Sequence, residues 1–154
     1  MDDDRFSDPV EARKKAMDYL ARREYGRGEL LDKLIRSGFD SDVANEAVAR
    51  LIDDGLQDDE RFAEAFVRSR INQGKGPQVI RADLRQRGLT RPVIDIAIEA
   101  AGEDWYALAR DVRLKKFGPD APLEFRDKAR QMRFLRSRGF DSDQIQAAVS
   151  ADVE

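Results

Sequence analysis

Apolar residues recur three and four positions apart along most of the chain, the spacing of one face of an α-helix. Pro9 to Tyr25 carries Ala12, Ala16, Tyr19 and Leu20; Asp58 to Gln73 carries Phe62, Ala65, Phe66 and Ser69; Asp104 to Phe117 carries Trp105, Leu108, Ala109 and Val112. Gly26-Arg27-Gly28, Gly74-Lys75-Gly76 and Gly118-Pro119 interrupt the pattern after each of these stretches, where a helix is expected to stop. No stretch alternates apolar and polar residues long enough to predict a strand. An all-α fold follows.

The pattern also repeats. Gly38-Phe39-Asp40-Ser41-Asp42 recurs as Gly139-Phe140-Asp141-Ser142-Asp143, and Gly88-Leu89-Thr90-Arg91-Pro92 lies between them. Leu34, Leu84 and Leu135 each precede the glycine by four residues, and each copy runs on into another apolar stretch. The physical reading is a helix ended by a glycine that takes positive φ, then an apolar residue that packs back on the last turn, then a new helix. Asp40, Thr90 and Asp141 are placed to cap that new helix. With the helix that precedes each pair, this predicts an elongated array of three tandem three-helix repeats: an acidic tail at 1–8, then repeats at 9–55, 56–102 and 103–154. Large aromatics at helical spacing (Phe62, Phe66, Trp105, Phe125 and Phe134) are expected in the core.

Charge changes the picture more than composition does. The chain of 154 residues has no cysteine and no histidine, which removes thiol chemistry, disulfides and the commonest general base and metal ligand. Its acidic start, Met1-Asp2-Asp3-Asp4, is not a signal peptide, and no apolar run approaches a membrane span. A cytoplasmic monomer without catalysis or cofactor of its own is expected. Net charge is −3, but it is segregated. Residues 40–60 hold eight acids and one base; residues 61–92 hold eight bases and two acids; residues 110–138 hold ten bases and four acids. Distinct acidic and basic surfaces follow.

Two local motifs suggest chemistry and do not sustain it. Gly74-Lys75-Gly76-Pro77 follows a helix and lacks the G-x-x-x-x-G-K-[ST] order of a phosphate loop. Asp53, Asp54, Asp58, Asp59 and Glu60 do not have calcium-loop spacing and read as caps and turn residues. Arginine-rich stripes are the better candidates, because the guanidinium fork pairs with phosphate and carboxylate alike. The candidate partner- and DNA-binding residues are Arg68, Arg70, Lys75, Arg81 and Arg85 in the second repeat. In the third they are Arg110, Arg113, Lys115, Lys116, Arg126, Arg130 and Arg133.

Arg22-Arg23 followed by Glu29-Leu30-Leu31-Asp32-Lys33-Leu34 resembles the opening signature of the RecX family. The run from Asp53-Asp54-Gly55-Leu56 to Glu60-Arg61-Phe62-Ala63 resembles that family's most specific segment, and Arg68, Arg70, Gly74, Gly76, Ile80, Leu84, Arg87 and Gly88 continue it in register. The likeness spans about Ala12 to Val149. Gly26 departs from it, where a serine N-cap is expected. The resemblance implies tandem three-helix repeats. It also implies a regulator that binds the filament of the RecA recombinase on single-stranded DNA and inhibits its ATPase, strand-exchange and co-protease activities, so restraining recombination and the SOS response. Weaker contact with double-stranded DNA is included. The basic segments alone leave open a different class, a stand-alone nucleic-acid-binding helical adaptor.

Overall fold

The computed structural model describes residues 4–150. A 3-10 turn at Asp4–Ser7 leads into α1 (Pro9–Arg22), α2 (Arg27–Arg36), α3 (Ser41–Asp53), α4 (Asp59–Asn72), α5 (Pro77–Gln86), α6 (Arg91–Ala101), α7 (Trp105–Phe117), α8 (Phe125–Ser137) and α9 (Ser142–Val149), with no strand among the described residues. The helices pack in threes: α1 on α3, α4 on α6 and α7 on α9, with α2, α5 and α8 against their own partners. Three separate apolar clusters result, centred on Leu30, Leu34 and Leu51, on Phe62, Ile80 and Leu84, and on Ala109, Leu135 and Ile145. The exposed surface is 9776 Å², against about 7,900 Å² for a compact monomer of this mass. The excess reflects an elongated array that buries little between repeats.

The repeated turn is built the same way three times. Gly38, Gly88 and Gly139 have φ of +113°, +91° and +101°. The amide after each glycine donates back to the carbonyl of the leucine five residues earlier, Phe39 to Leu34, Leu89 to Leu84 and Phe140 to Leu135, each at 3.2 Å. Those leucines and the apolar residues that follow the glycines are all buried. This is a Schellman closure with its hydrophobic contact. The caps that follow are less uniform than expected. Asp141 accepts from the Gln144 amide at 3.0 Å, but Asp40 and Thr90 have cap geometry without a side-chain bond.

Repeats are joined by setting the start of each middle helix on the turn of the next repeat. At the first junction, Gly26 lies so near Phe62 and Leu89 that a Cβ would sit 3.3 and 3.5 Å from them. Gly26 has no side chain to accept from the first-turn amides, and only the reciprocal half of a capping box is present: the Glu29 carboxylate accepts from the Gly26 amide at 3.3 Å. Gln57 donates to the Tyr25 carbonyl at 3.0 Å, and Asp59 accepts from the Arg27 amide at 2.7 Å. At the second junction, the Gly76 amide donates to the Arg138 carbonyl at 2.7 Å and the Gln78 amide to the Gly139 carbonyl at 2.8 Å. The Gly74-Lys75-Gly76-Pro77 run is thus the seam of the stack, and its amides are spent within the protein.

The two ends of the array differ. No repeat precedes the turn at Gly38, and Phe6 takes that place: its carbonyl accepts from the Asp40 amide at 3.0 Å and its ring lies edge-on to Phe39 at 5.5 Å. So part of the segment expected to be a free acidic tail is structural, while its first three residues lie outside the described range. At the far end, none of the described residues covers the start of α8. Leu123 is 93% exposed and Phe125 is 87% exposed, which corrects the expectation that Phe125 is core. Its helical spacing is real, but the equivalent start of α5 is buried only because a further repeat covers it. Phe62 and Phe66 are buried as expected, and Trp105 and Phe134 pack partly buried against the second and third clusters.

Gly76→Ala should therefore uncouple the repeats. Its Cβ would meet the Gly139 carbonyl carbon at 2.4 Å and the Phe140 amide nitrogen at 2.6 Å, so the backbone must shift. A loss of roughly 1–3 kcal/mol is expected, with broader urea unfolding as the third repeat melts separately. A variant as stable and as cooperative as the parent would contradict this seam.

Candidate basic interface

The twelve candidate cations do not form one face. A step of about 100° per residue puts Arg126, Arg130 and Arg133 together on α8. The same arithmetic sets Arg110 and Lys115 about 140° apart on α7 and turns Arg68 away from Arg70 on α4. Arg68, Arg85, Arg110, Lys115, Lys116, Arg126, Arg130 and Arg133 are exposed. Arg70 is half-buried with its guanidinium 4.0 Å from the centre of the Phe66 ring. Lys75 is also half-buried, and its amide closes the end of α4 on the Arg70 carbonyl at 3.0 Å.

Two candidates are engaged elsewhere. Arg81 hydrogen-bonds to Asp95, which also lies 3.9 Å from Arg91. The Arg81 hydrogen bond holds the Asp95 carboxyl below its ordinary range, so this pairing persists at neutral pH and is released only in acid, as Asp95 protonates. Arg113 is a correction. It is 8% exposed and donates to the Gln131 side chain at 3.1 Å and to the Asp120 carbonyl at 3.3 Å. The reason is register: counted from the caps Asp58 and Asp104, Arg113 stands where the second repeat has the buried Val67.

The third repeat differs from the first two in its ion pairs. Arg13, Lys14, Arg23, Arg36 and Arg50 all pair with acids, as do Arg61, Arg81, Arg87 and Arg91. Beyond residue 95, no cation pairs with a described acid, although ten lysines and arginines lie there. Three third-repeat cations rest on aromatic rings, as Lys15, Arg23 and Lys33 do in the first. Phe117 and Phe134 meet edge to face at 5.5 Å. Lys116 and Arg138 lie 5.3 and 5.9 Å from the Phe134 ring centre, and Arg130 lies 5.4 Å from that of Phe117. A cation on a ring keeps its charge available to solvent anions while its position is fixed.

Clefts open at both junctions. The first, about 430 Å³, is floored by Phe62 and Phe66 and edged by Arg23, Arg70 and Arg87. Arg87 shares Glu29 with Arg23, at 2.5 and 3.0 Å, and also lies 4.9 Å from the Phe66 ring centre. The second, about 460 Å³, is edged by Asp111, Lys115, Lys116, Phe134 and Arg138. Arg138 donates to the Gln73 carbonyl at 2.6 Å, while its buried Nε has no partner. Arg87 and Arg138 were not among the candidates; both immediately precede a turn glycine, a shared position that marks them. No group of acids among the described residues could hold a metal ion, and none of the described helices is long and apolar enough to cross a membrane. Part of the acidic run before α4 has structural work: Asp58 accepts from the Glu60 amide at 2.8 Å as the α4 cap, and Asp54 pairs with Arg13 inside the first repeat at 2.8 Å.

Comparison with known proteins gives a consistent family. Models described as the first, second and third three-helix domains of RecX match residues 12–51, 58–98 and 102–149. A protein named "Regulatory protein RecX" from Halorhodospira halophila is 47% identical over 142 residues, covering 92% of this chain and 88% of the relative. A protein of the same name from Pseudomonas fluorescens is 43% identical over 92% of this chain and 91% of its own length. Among solved structures, a regulatory protein RecX superposes with a TM-score of 0.77 at 26% identity, covering 91% of this chain and 70% of that one. RecX from Lactobacillus salivarius superposes with a TM-score of 0.75 at 25% identity over 93% and 95% of the two chains.

Removing Arg113 should cost stability and leave binding alone. Arg113→Ala strands the buried Gln131 side chain, with an expected loss of about 1–3 kcal/mol read by chemical denaturation. Unchanged stability together with weakened partner binding would return Arg113 to the surface.

Proposed function

The chain belongs to the RecX family, and we propose that it binds the RecA–single-stranded DNA filament and inhibits RecA ATPase, strand-exchange and co-protease activity. In that role it restrains recombination and the SOS response, as a cytoplasmic monomer without catalysis of its own. One observation carries the reading beyond the family name: the cations of the third repeat have no ion-pair partner among the described residues. Solvated, unpaired arginines on an otherwise acidic molecule are available to external anions. A nucleoprotein filament offers two kinds, DNA phosphates and acidic side chains of the recombinase, and arginine forms charge-assisted bonds with either.

Net charge favours this reading over the adaptor. The molecule carries −3 overall, and five cations of its first repeat are paired with acids, so long-range attraction to bare DNA is weak. A protein surface that adds shape and specific contacts to a modest phosphate attraction suits the charge pattern better. The unpaired cations still favour some DNA contact, weaker on the duplex. A pull-down that compares RecA–single-stranded DNA filaments with bare strands separates the readings: the regulator prefers filaments, whereas the adaptor retains both equally.

Reversing Arg126, Arg130 and Arg133 to glutamate should weaken filament binding by at least about tenfold, roughly 1.4 kcal/mol, with helicity unchanged, and the parent's binding should fall as salt rises. Reversing Glu46 and Asp53 should change it by no more than about twofold. Equal inhibition of RecA by the triple variant and the parent would remove the third repeat from the interface. Purified protein should not hydrolyse ATP, alone or with DNA; turnover that follows it through purification would contradict the regulatory assignment.

A further inference from the structure

The two junction clefts are the same site made twice. Helices α4 and α7 start from equivalent caps, Asp58 and Asp104, an offset of 46 residues. That offset carries Phe62 onto Leu108, Phe66 onto Val112 and Arg70 onto Lys116. The turn glycines Gly88 and Gly139 are offset by 51, which carries Arg87 onto Arg138. Each cleft therefore has an apolar floor from the first helix of a repeat, a cation near that helix's end, and an arginine from the turn. In both, the two cations flank one aromatic ring: Arg70 and Arg87 at 4.0 and 4.9 Å from Phe66, Lys116 and Arg138 at 5.3 and 5.9 Å from Phe134. Phe134 has no counterpart at the matching position of the second repeat, Asp83, so the ring is supplied by a different residue while the arrangement of charges is kept.

We infer that these clefts are two equivalent phosphate-binding sites, Arg70 with Arg87 and Lys116 with Arg138, that hold two phosphates of one single-stranded nucleic acid lying along the array. The inference rests on the DNA contact in the proposed function and assigns it to residues. Three features point to an outside anion. Arg70 and Lys116 have no acidic partner among the described residues. Glu29 is shared by Arg23 and Arg87, so it neutralises only one of them. The buried Nε of Arg138 is a donor without an acceptor, a cost normally offset by a bound group. The clefts share a pair of cations beside an aromatic ring but differ in the other side chains around them, so they suit a ligand that offers the same group repeatedly. A strand presents phosphates at short regular intervals and can always place one in each cleft, whereas an acidic peptide needs carboxylates at a matched spacing. Guanidinium planes held against a ring leave their outer faces to stack on unpaired bases. The second cleft has one acid, Asp111, and the first has Glu24 with Glu29 beside it, so the second is the stronger.

Arg70→Gln, Lys116→Gln and the double variant test this in the full chain. Binding of a fluorescein-labelled oligothymidylate is read by anisotropy across a salt series, with helicity as the control for folding. Each single change should weaken binding by about 3–10-fold, more for Lys116, and flatten the slope of log K against log salt by about 0.7; the double variant should lose both increments. A parent that does not bind the oligonucleotide, or either single variant binding as the parent does, overturns the inference. Loss of RecA-filament binding with bare-strand binding intact would also overturn it, showing that the clefts take acidic side chains of the recombinase, and would leave the filament reading standing. Loss of oligonucleotide binding with filament binding retained supports the clefts as strand sites and moves the filament contact elsewhere.

Discussion

Everything in this molecule hangs on the contact between the start of one middle helix and the glycine turn of the next repeat. Each repeat has a core of about ten buried residues or fewer, too small to be robust alone. Stacking adds a few hydrogen bonds and close contacts at each seam, and it demands backbone-to-backbone approach. Gly76 and Gly139 permit it at the second junction, while at the first Gly26 fits beneath Phe62 and Leu89. The same geometry opens a cleft beside each seam and sets an arginine, Arg87 or Arg138, at its edge. Stability and the candidate binding surface therefore come from one structural device.

That dependence explains the distribution of charge. Three acids between Asp53 and Glu60 have structural work: Asp59 holds the Arg27 amide across the first junction, Asp58 caps α4, and Asp54 pairs with Arg13 inside the first repeat. The segment on which the family likeness is most specific is thus the one that builds the first seam. Moving along the chain, ion pairs become sparser, and in the third repeat Lys116, Arg130 and Arg138 rest on Phe117 and Phe134. The array runs from an end richer in ion pairs, closed by Phe6, to an end with cations that have no acid beside them and the exposed Leu123 and Phe125.

Local rules make much of this legible without coordinates. Turn glycines, the leucine four residues before each and the apolar residue after each define the Schellman closures, and their near-equal spacing gives the threefold repetition. What local rules miss is contact between repeats. Phe125 has core periodicity, yet no further repeat covers it. Arg113 reads as part of a basic stripe, but alignment of the caps Asp58 and Asp104 places it at the core position of Val67, where its own hydrogen bonds make burial tolerable. Asp40 and Thr90 have cap identity without a cap bond. Arg87 and Arg138 become candidates only when the repeats are compared residue by residue, because neither belongs to a helical stripe. Their role is set by the turn that follows them.

Hydrogen exchange of the full-length protein, free and bound to RecA–single-stranded DNA filaments, tests the central claim that function sits on the unpaired cations and clefts of the second and third repeats. The account predicts new protection in the last turns of α4 and α7, at the turn after α8 and along the Arg126–Arg133 face, with α3 and its acids exchanging as in the free protein. Protection confined to the first repeat, with α7 and α8 unchanged, would contradict it.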